Sequence, residues 1–276
     1  MDYLQVDGDN ILYHYFQKHM IKEESEEGRL ILTSMIRDLS IWLPIDLYRK
    51  LPILIPYAVR DPTCRKSVNK IREEWGSCNS SGYFRDDNTL VKAIPRRFQI
   101  ISKKNTYPKA RLGNGFVASH VWRILSNNTT LASRNSLTNT FVPNLAWLPR
   151  QLSKLTDREG SFSQKYLQAL SIARFEQIVL DEKKKDYVRQ IWKMLPNPKI
   201  KIDKQHVKNL NFFDLEEDDI KKKVDRLFSN INLIKTSNPV RKLHCSRYFS
   251  TYSKLPERTK KLFTKRLEKY ANILTP

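Results

Sequence analysis

The segment from Lys109 to Glu159 reads KARLGNGFVASHVWRILSNNTTLASRNSLTNTFVPNLAWLPRQLSKLTDRE. Between Arg111 and Trp122, two glycines permit a tight turn, and the alternation that follows predicts a β-strand through Phe116, Ala118, His120 and Trp122. A polar loop from Ser126 to Thr140 follows, and a loop of that length is unusual in a compact domain unless it has a role of its own. A second strand is predicted over Phe141 to Leu148, and Pro149 stands where a helix can begin. The segment therefore predicts a strand, a long loop, a second strand and a helix, in that order.

These residues also resemble a known family. The runs Phe116-Val-Ala-Ser-His120-Val-Trp122, Val142-Pro-Asn144-Leu-Ala-Trp-Leu-Pro-Arg150 and Leu155-Thr-Asp157 are similar to the HNH (ββα-metal) endonucleases. They most resemble the bacterial branch whose hairpin reads roughly AxHIW and then PNLxxLPRxLxxLTD, which occurs in restriction-type and defence-associated nucleases. The likeness extends from Lys109 to about Ser163. It implies an α+β fold in which a ββα-metal core, a hairpin plus a helix, is embedded in mostly α-helical flanking regions.

The resemblance implies roles for two residues and a cofactor. His120 matches the histidine that acts as general base and activates water for attack on a scissile phosphate, and the ordinary histidine pKa of about 6.5 suits that role. Asn144 matches the middle asparagine, which ties the hairpin together and helps to hold the histidine. The family also implies a divalent ion with oxygen ligands, Mg²⁺ or Mn²⁺, acting as a Lewis acid on the phosphate.

The metal-binding positions depart from the family pattern. The residue before the base is often Asp or His in the family and is Ser119 here, while the last motif position, usually His or Asn, falls at Ser153. A serine hydroxyl is a weak, neutral ligand. If the chain from Leu152 onward is helical, Asp157 lies one turn after Ser153 and supplies a carboxylate on the same face; Gln151 is a weaker substitute. The expected metal ligands are therefore Ser119, Ser153 and Asp157.

Each of these residues also has an interpretation without chemistry. His120 can be a buried strand histidine whose hydrogen bonds are satisfied by the loop, and Asn144 can be a turn-forming residue after Pro143. The two serines leave open a scaffold that has no catalytic activity.

The charge of the chain points to a polyanionic partner. Its 276 residues include 50 Lys and Arg against 29 Asp and Glu, a formal net charge of +21. Such a surplus favours nucleic acid, through phosphate neutralisation and counterion release. An acidic membrane surface is the competitor, but the sequence has no apolar run of about 18 residues to support it. Basic residues in and near the hairpin are the candidate contacts to double-stranded DNA: Arg96, Arg97, Lys109, Arg111, Arg123, Arg150, Lys154 and Arg158.

The composition predicts a folded protein of the cytoplasm. The chain is 40% hydrophobic, which is enough to bury a core. Its start, MDYLQVDGDN, is polar and acidic, unlike a signal peptide. Cys64, Cys78 and Cys245 form an odd set without a CxxC spacing, which argues against a disulfide framework and against a zinc ribbon.

The regions that flank the hairpin are predicted to be mainly helical, because their apolar residues recur at helical spacing. The predicted helices are Ile11 to His19, Glu27 to Leu43, Ile45 to Leu51, Ser163 to Leu180, Asp186 to Met194, Asp214 to Asn230 and Leu255 to Leu274. An edge strand is predicted over Ile94 to Ile101. The break at Pro196 to Pro198 predicts a boundary. The expected units are 1–104, a helical region with a basic and aromatic loop; 105–195, the HNH core and the next helix; and 196–276, a basic helical region.

The resemblance, together with the positive charge, implies a metal-dependent DNA endonuclease that hydrolyses phosphodiester bonds, with His120 as general base. The long flanking regions favour a sequence-specific type II restriction enzyme, with base contacts from the segment Trp75 to Arg97. Because each protomer of a palindromic cutter brings one active site to one strand, a homodimer is expected. The alternative is a non-catalytic DNA- or RNA-binding protein on a degenerate HNH scaffold, for which the positive charge alone is sufficient.

Overall fold

The structure is a computed structural model that describes residues 5–8, 11–12, 25–60, 83–86, 88–95, 97–104, 106–107, 110–200, 202, 204–236 and 255–275. These ranges contain both helices and a mainly antiparallel sheet, so the predicted α+β class is confirmed.

The strands are β1 (Gln5–Val6), β2 (Ile41–Trp42), β3 (Ala58–Arg60), β4 (Phe84–Asp86), β5 (Ile100–Ile101), β6 (Arg111–Leu112), β7 (Phe116–His120), β8 (Leu145–Pro149) and β9 (Asn211–Phe213). The helices are α1 (Glu26–Leu39), α2 (Ile45–Lys50), α3 (Thr89–Ala93), α4 (Arg150–Thr156), α5 (Phe162–Phe175), α6 (Glu182–Met194), α7 (Lys204–Lys208), α8 (Glu217–Lys235) and α9 (Glu257–Leu274). Short 3-10 turns lie at Ala132–Arg134 and Val142–Asn144.

A five-stranded sheet with the order β5-β9-β2-β8-β7 organises the described fold. The pair β2 and β9 is parallel, and the other three neighbouring pairs are antiparallel. Ile41 and Trp42 of β2 are fully buried, as expected for a strand that is covered on both faces. Trp147 of β8 meets Phe213 of β9 edge to face, with ring centroids 5.2 Å apart. Two further parallel pairs, β1 with β6 and β3 with β4, lie outside this sheet.

The predicted strand, loop, strand and helix are present, with shorter limits. β7 starts after a turn at Gly115, whose φ of 79° is a conformation that L side chains rarely adopt. β8 starts only at Leu145, because Val142–Asn144 forms a 3-10 turn around Pro143. α4 begins directly after Pro149 and packs on both β7 and β8. The last residue of β7, His120, pairs with Leu145, so His120 and Asn144 lie at the same end of the hairpin.

The described flanks are mostly helical, as expected, but they also contribute three short strands to the sheet, of which β2 and β9 were not predicted. The helix predicted over Glu27 to Leu43 ends at Leu39, where Ser40 turns extended and accepts a hydrogen bond from Trp42 Nε1 at 2.8 Å. The strand predicted over Ile94 to Ile101 is reduced to β5, which does lie at the sheet edge. Strands of two or three residues offer too few alternating positions to be recognised in a sequence.

The other predicted helices are found with shifted ends. The helices over Ile45 to Leu51 and Leu255 to Leu274 are α2 and α9. The helix predicted from Ser163 to Leu180 ends at Phe175, and α6 follows after Asp181, whose side chain caps it by accepting from Lys184 N at 3.0 Å. The helix expected from Asp214 to Asn230 is α8, which starts and ends later.

The C-terminal segment is tied to the rest of the described fold. Its strand β9 lies between β5 and β2. The Tyr270 hydroxyl of α9 accepts from Ile53 N at 2.8 Å and donates to Ile53 O at 2.7 Å. The predicted break after Pro196 is an irregular segment between α6 and α7. Residues on both sides of that break therefore share one sheet.

Several predictions fall outside the described residues. They concern most of the helix Ile11 to His19, the loop at Trp75 to Gly82, the DNA contacts Arg96 and Lys109, and the three cysteines.

Candidate functional site

A cavity of about 560 Å³ lies beside the C-terminal end of β7. The predicted base and the predicted metal ligands all line it: Ser119, His120, Ser153 and Asp157. The remaining lining residues are Arg60, Asn88, Lys92, Val117, Ala118, Trp122, Arg123, Leu131, Ser133 and Arg134. The cavity thus brings together the residues of β7 and α4 that were predicted to share one site. Residues of β3 and α3, from the N-terminal flank, complete its lining.

His120 is held by the polar loop between β7 and β8. Its Nε2 lies 3.0 Å from the backbone oxygen and 3.1 Å from the side-chain Oδ1 of Asn139. A carbonyl oxygen can only accept, so Nε2 carries the hydrogen and donates it. The neutral imidazole therefore keeps its lone pair on Nδ1.

The Nδ1 atom of His120 is buried and has no hydrogen-bond partner among the described residues. Burial of the imidazole, assisted by the positive charge of Arg60, lowers the pKa of His120 to about 4, although the hydrogen bonds to Asn139 act in the opposite direction. His120 is consequently neutral at pH 7. A neutral imidazole with an unpartnered nitrogen is in the protonation state that a general base requires.

Asn144 closes both ends of the loop. Its Oδ1 accepts from Trp122 N at 2.8 Å, and its Nδ2 donates to Thr138 O at 2.7 Å. Its backbone oxygen accepts from Val121 N at 3.0 Å, directly after His120. These bonds tie the residues that follow His120 to the polar loop.

The long loop is ordered by its own polar side chains. Asn127 Oδ1 accepts from Thr129 N and Thr130 N, and Asn135 Oδ1 accepts from Leu137 N. Such local hydrogen bonds replace the ladders of regular structure. The loop ends with Asn139 buried against His120, which gives its unusual length a structural reason.

Asp157 caps the C-terminal end of α4 beside Ser153. Its backbone N donates to Ser153 O at 2.9 Å, and its backbone oxygen accepts from Arg123 at 3.1 Å. Partial burial raises the pKa of Asp157, while Arg60 and Arg123 oppose that shift. Ser153 Oγ donates to Arg150 O at 3.0 Å. The predicted face that joins Ser153 to Asp157 is therefore present.

The donors at this cavity do not fit a resident Mg²⁺ or Mn²⁺ ion. Asp157 is the one carboxylate among the described lining residues, and two arginines act on it. Ser119 Oγ is buried with no partner in the described part of the chain, but a hydroxyl carries no charge to offset them. Nowhere in the described ranges do three or more His, Cys, Asp or Glu residues come together as a metal-binding group. The divalent ion therefore stays a prediction from the family resemblance, and the chemistry derived from this site has no step through a metal.

The predicted DNA contacts are spread over the surface around the hairpin. Arg123 is exposed at the cavity, and Arg150 and Lys154 are exposed one turn apart on α4, with Arg158 exposed just beyond it. Arg97 is exposed before β5, whereas Arg111 on β6 is partly buried.

Several residues of this site could not be selected from the sequence alone. Asn139 stands among many loop residues of the same type, so only the fold identifies it as the partner of His120. Arg60 reaches the cavity because β3 is held to the loop by the bond from Asn139 Nδ2 to Ala58 O at 3.0 Å. Asn88 and Lys92 line the cavity because they lie at the start of α3 and within it, and α3 packs near β7. Contacts over such sequence separations have no local signal.

The chain was compared with protein-family models, with curated proteins and with solved structures, and none of these comparisons finds a match. In the described part of the chain, every helix is too short or too polar to cross a lipid bilayer.

Proposed function

We propose that this chain is a DNA endonuclease that hydrolyses phosphodiester bonds with His120 as general base. One observation carries the proposal: Asn139 fixes the imidazole through Nε2, which leaves Nδ1 as the basic nitrogen at a cavity lined by cationic residues. The formal net charge of +21 supports a polyanionic substrate. The HNH resemblance of the hairpin supports the same reaction.

In the proposed reaction, water attacks the phosphorus while His120 Nδ1 takes one of its protons. A new bond forms between phosphorus and the water oxygen, and the bond from phosphorus to the leaving sugar oxygen breaks. The leaving oxygen departs with the bonding electron pair and takes a proton from solvent water. Asn139 then stabilises the imidazolium, because its oxygens accept from Nε2–H in both protonation states. Since Nδ1 is buried in the resting fold, substrate binding has to move side chains of the cavity wall to admit water.

We further propose that the enzyme cuts double-stranded DNA at specific sequences, as a type II restriction enzyme that acts as a homodimer. The basic side chains of α4, Arg150 and Lys154, are exposed next to the cavity residues Ser153 and Asp157 and are suited to phosphate contacts. Mg²⁺ or Mn²⁺ is part of this proposal only through the family resemblance.

A second function, a non-catalytic DNA- or RNA-binding protein, is favoured by a different observation. The depressed pKa makes His120 a weak base, and its Nδ1 is shielded from solvent. A protein that only binds nucleic acid needs the cationic surface and no accessible base.

A plasmid cleavage assay separates the two functions. The parent, His120→Ala and the matched control His206→Ala are incubated with supercoiled plasmid in Mg²⁺, in Mn²⁺ and in EDTA. His206 bonds to the Tyr166 hydroxyl at 3.2 Å and does not line the cavity. We expect the His120 substitution to reduce cleavage about 100-fold or more, and the His206 substitution to leave it unchanged.

The outcome of that assay also identifies the kind of enzyme. Discrete fragments indicate site specificity, whereas a smear indicates a nonspecific nuclease. If the parent binds plasmid in a gel-shift assay but cuts it under none of the three conditions, the enzyme proposal is wrong and the binding function stands. RNA competition at fixed salt then distinguishes DNA from RNA as the ligand.

A further inference from the structure

A second cavity, of about 180 Å³, lies between α8, α3 and the segment that follows α2. We call it the α8 cavity. Its lining is mostly apolar: Leu51, Leu54, Ile55, Tyr57, Leu90, Ala93, Ile94 and Leu227. None of its lining residues also lines the cavity of His120. The α8 cavity is therefore a separate place on the molecule, which the proposed nuclease reaction does not use.

Two cations of α8, Lys223 and Arg226, stand at this cavity. They are three residues apart and so share one face of the helix. The described lining contains no carboxylate, and neither cation forms an ion pair with any residue of the described ranges. Asp219, one turn before Lys223, acts on it through its charge without pairing with it. The α8 cavity therefore carries positive charge at one side and apolar surface elsewhere.

Lys223 differs from the solvated lysines of the same helix. Its side chain is half-buried, whereas the neighbouring Lys222 is exposed. Its Nζ lies 5.1 Å from the centroid of the Phe98 ring, and cation–π attraction holds the ammonium there. Burial, and then the charge of Arg226, lower the pKa of Lys223 to about 8, although Asp219 acts in the opposite direction. At pH 7 the amine is still mostly protonated, so two like charges stand together where an anion would stabilise both.

The remaining lining and the size of the cavity restrict what can bind. The two neutral polar residues of the described lining already bond to each other, since Asn230 Nδ2 donates to the Tyr57 hydroxyl at 2.7 Å. The interior therefore suits an apolar group. The volume of about 180 Å³ is below the roughly 300–1,000 Å³ of pockets for drug-sized ligands, so the ligand is small.

We propose that the α8 cavity binds a small organic acid, with its carboxylate on Lys223 and Arg226 and its apolar body against the leucine and isoleucine side chains. The guanidinium group presents paired N–H donors that match the two oxygens of a carboxylate. Apolar walls with a few charged groups that fix the orientation of the ligand are typical of small-molecule sites. An inorganic anion would leave the apolar walls uncovered, and a neutral hydrocarbon would leave the two charges without a partner.

The test uses para-fluorobenzoate as the probe and follows its ¹⁹F NMR signal as the protein is added. Para-fluorobenzamide has nearly the same shape without the charge, and acetate has the charge without the ring. We expect the parent to bind fluorobenzoate with a Kd on the order of 1 mM or tighter. The amide should bind about tenfold more weakly or worse. Acetate at the same concentration should not displace the probe.

Two variants change the site, and one control changes the same charge elsewhere on α8. Lys223→Gln with Arg226→Gln removes both cations, and Ala93→Phe fills the cavity from an exposed position. The control is Lys221→Gln with Lys222→Gln, which are exposed and do not line the cavity. We expect both site variants to bind fluorobenzoate about tenfold more weakly, and the control to bind it as the parent does.

Thermal unfolding of each variant shows whether its fold is retained. Arg226 is exposed, so Arg226→Gln alone provides a reading even if the pair fails to fold. Because a chain with a net charge of +21 attracts any anion, an equal loss of affinity in the control overturns the proposal. Equal binding of the acid and the amide, displacement by acetate, or no binding to the parent also overturns it. Each of these results is independent of whether the protein cleaves plasmid, since the two cavities share no lining residue.

Discussion

Asn139 accepts the Nε2 hydrogen of His120 through two of its own atoms, the backbone oxygen at 3.0 Å and Oδ1 at 3.1 Å. The same side chain donates through Nδ2 to Ala58 O of β3. One buried asparagine therefore fixes the orientation of the imidazole and also holds the strand that carries Arg60. The site depends on this residue for both its base and part of its charge.

The first prediction concerns the tautomer of His120. Because Nε2 faces two acceptors, we expect a neutral ring with the hydrogen on Nε2 at pH 7. Long-range ¹H–¹⁵N correlation spectra of ¹⁵N-labelled protein distinguish the two ring nitrogens, and His120→Ala assigns the signal. A ring protonated on Nδ1, or doubly protonated at neutral pH, contradicts the geometry.

Substitutions at Asn139 should move the pKa of His120 in opposite directions. Asn139→Asp places a negative charge near the imidazolium, which we expect to raise the pKa above its value of about 4. In the parent, the hydrogen bond to the Asn139 side chain raises the pKa of His120. Asn139→Ala removes this acceptor, so we expect the pKa of His120 to decrease further. NMR titration of the parent and the two variants measures both shifts. Shifts of the same sign in both variants contradict the assigned role of Asn139.

The hairpin could be predicted from the sequence because its pattern is local. The alternation before His120 and the proline before α4 lie within a few residues of the features that they determine. The polar loop was recognised as unusual, but which of its asparagines contacts His120 depends on how residues 126–140 fold back. That choice is made by long-range bonds such as Asn139 to Ala58, for which the sequence has no signal.

In the flanking regions, a long helix could be predicted from the sequence but the short strands could not. Helix α9 was predicted closely because it repeats its apolar face over several turns. β2 and β9 have only two and three residues, and their pairing with β8 and β5 is set by burial in the assembled sheet. The cavity beside His120 is likewise a product of packing, since β3, α3 and the loop meet only in the folded chain.

The free energy of unfolding should decrease as the pH is lowered, because His120 is held neutral in the folded state. The pKa of His120 is about 4 in the folded state and about 6.5 in an unfolded chain. Between these pH values the unfolded state binds more protons than the folded state. The stabilisation that comes from keeping the ring neutral is therefore complete above about pH 6.5 and is lost as the pH falls towards 4. At pH 5 the loss is about 2 kcal/mol relative to pH 7. Urea unfolding of the parent and of His120→Gln at both pH values measures it.

The control for this prediction is His206→Gln, a histidine away from the cavity. When the pH is lowered from 7 to 5, we expect the free energy of unfolding of the His206 variant to decrease as much as that of the parent. The free energy of unfolding of the His120 variant should decrease less. Equal pH dependence in the parent and the His120 variant means that His120 does not titrate with a depressed pKa.

Asn144→Ala should destabilise the hairpin more than an exposed asparagine does. Asn144 is fully buried, and its removal leaves Trp122 N and Thr138 O without their partners. Two such buried groups cost about 2–5 kcal/mol in the free energy of unfolding. Asn127→Ala is the matched control, because Asn127 lies in the same loop but on the surface, where water replaces its bonds. Similar losses in both variants, measured by urea unfolding, are inconsistent with a central role for Asn144.

Tyr270→Phe tests whether the C-terminal helix is part of the core. The Tyr270 hydroxyl is buried and bonds to both the backbone N and the backbone O of Ile53. Its removal leaves these two buried groups without partners and should cost about 2–5 kcal/mol in the free energy of unfolding. Tyr187→Phe is the control, since the Tyr187 ring packs 5.6 Å from that of Tyr270 but the bonds to Ile53 remain.

Unfolding is followed by far-UV circular dichroism and by tryptophan fluorescence, which senses Trp42 and Trp147 in the sheet. We expect the two signals to lose stability together in Tyr270→Phe, because α9 and the sheet share one core cluster. A tryptophan transition that matches the parent while the circular dichroism shifts indicates that α9 unfolds independently of the sheet.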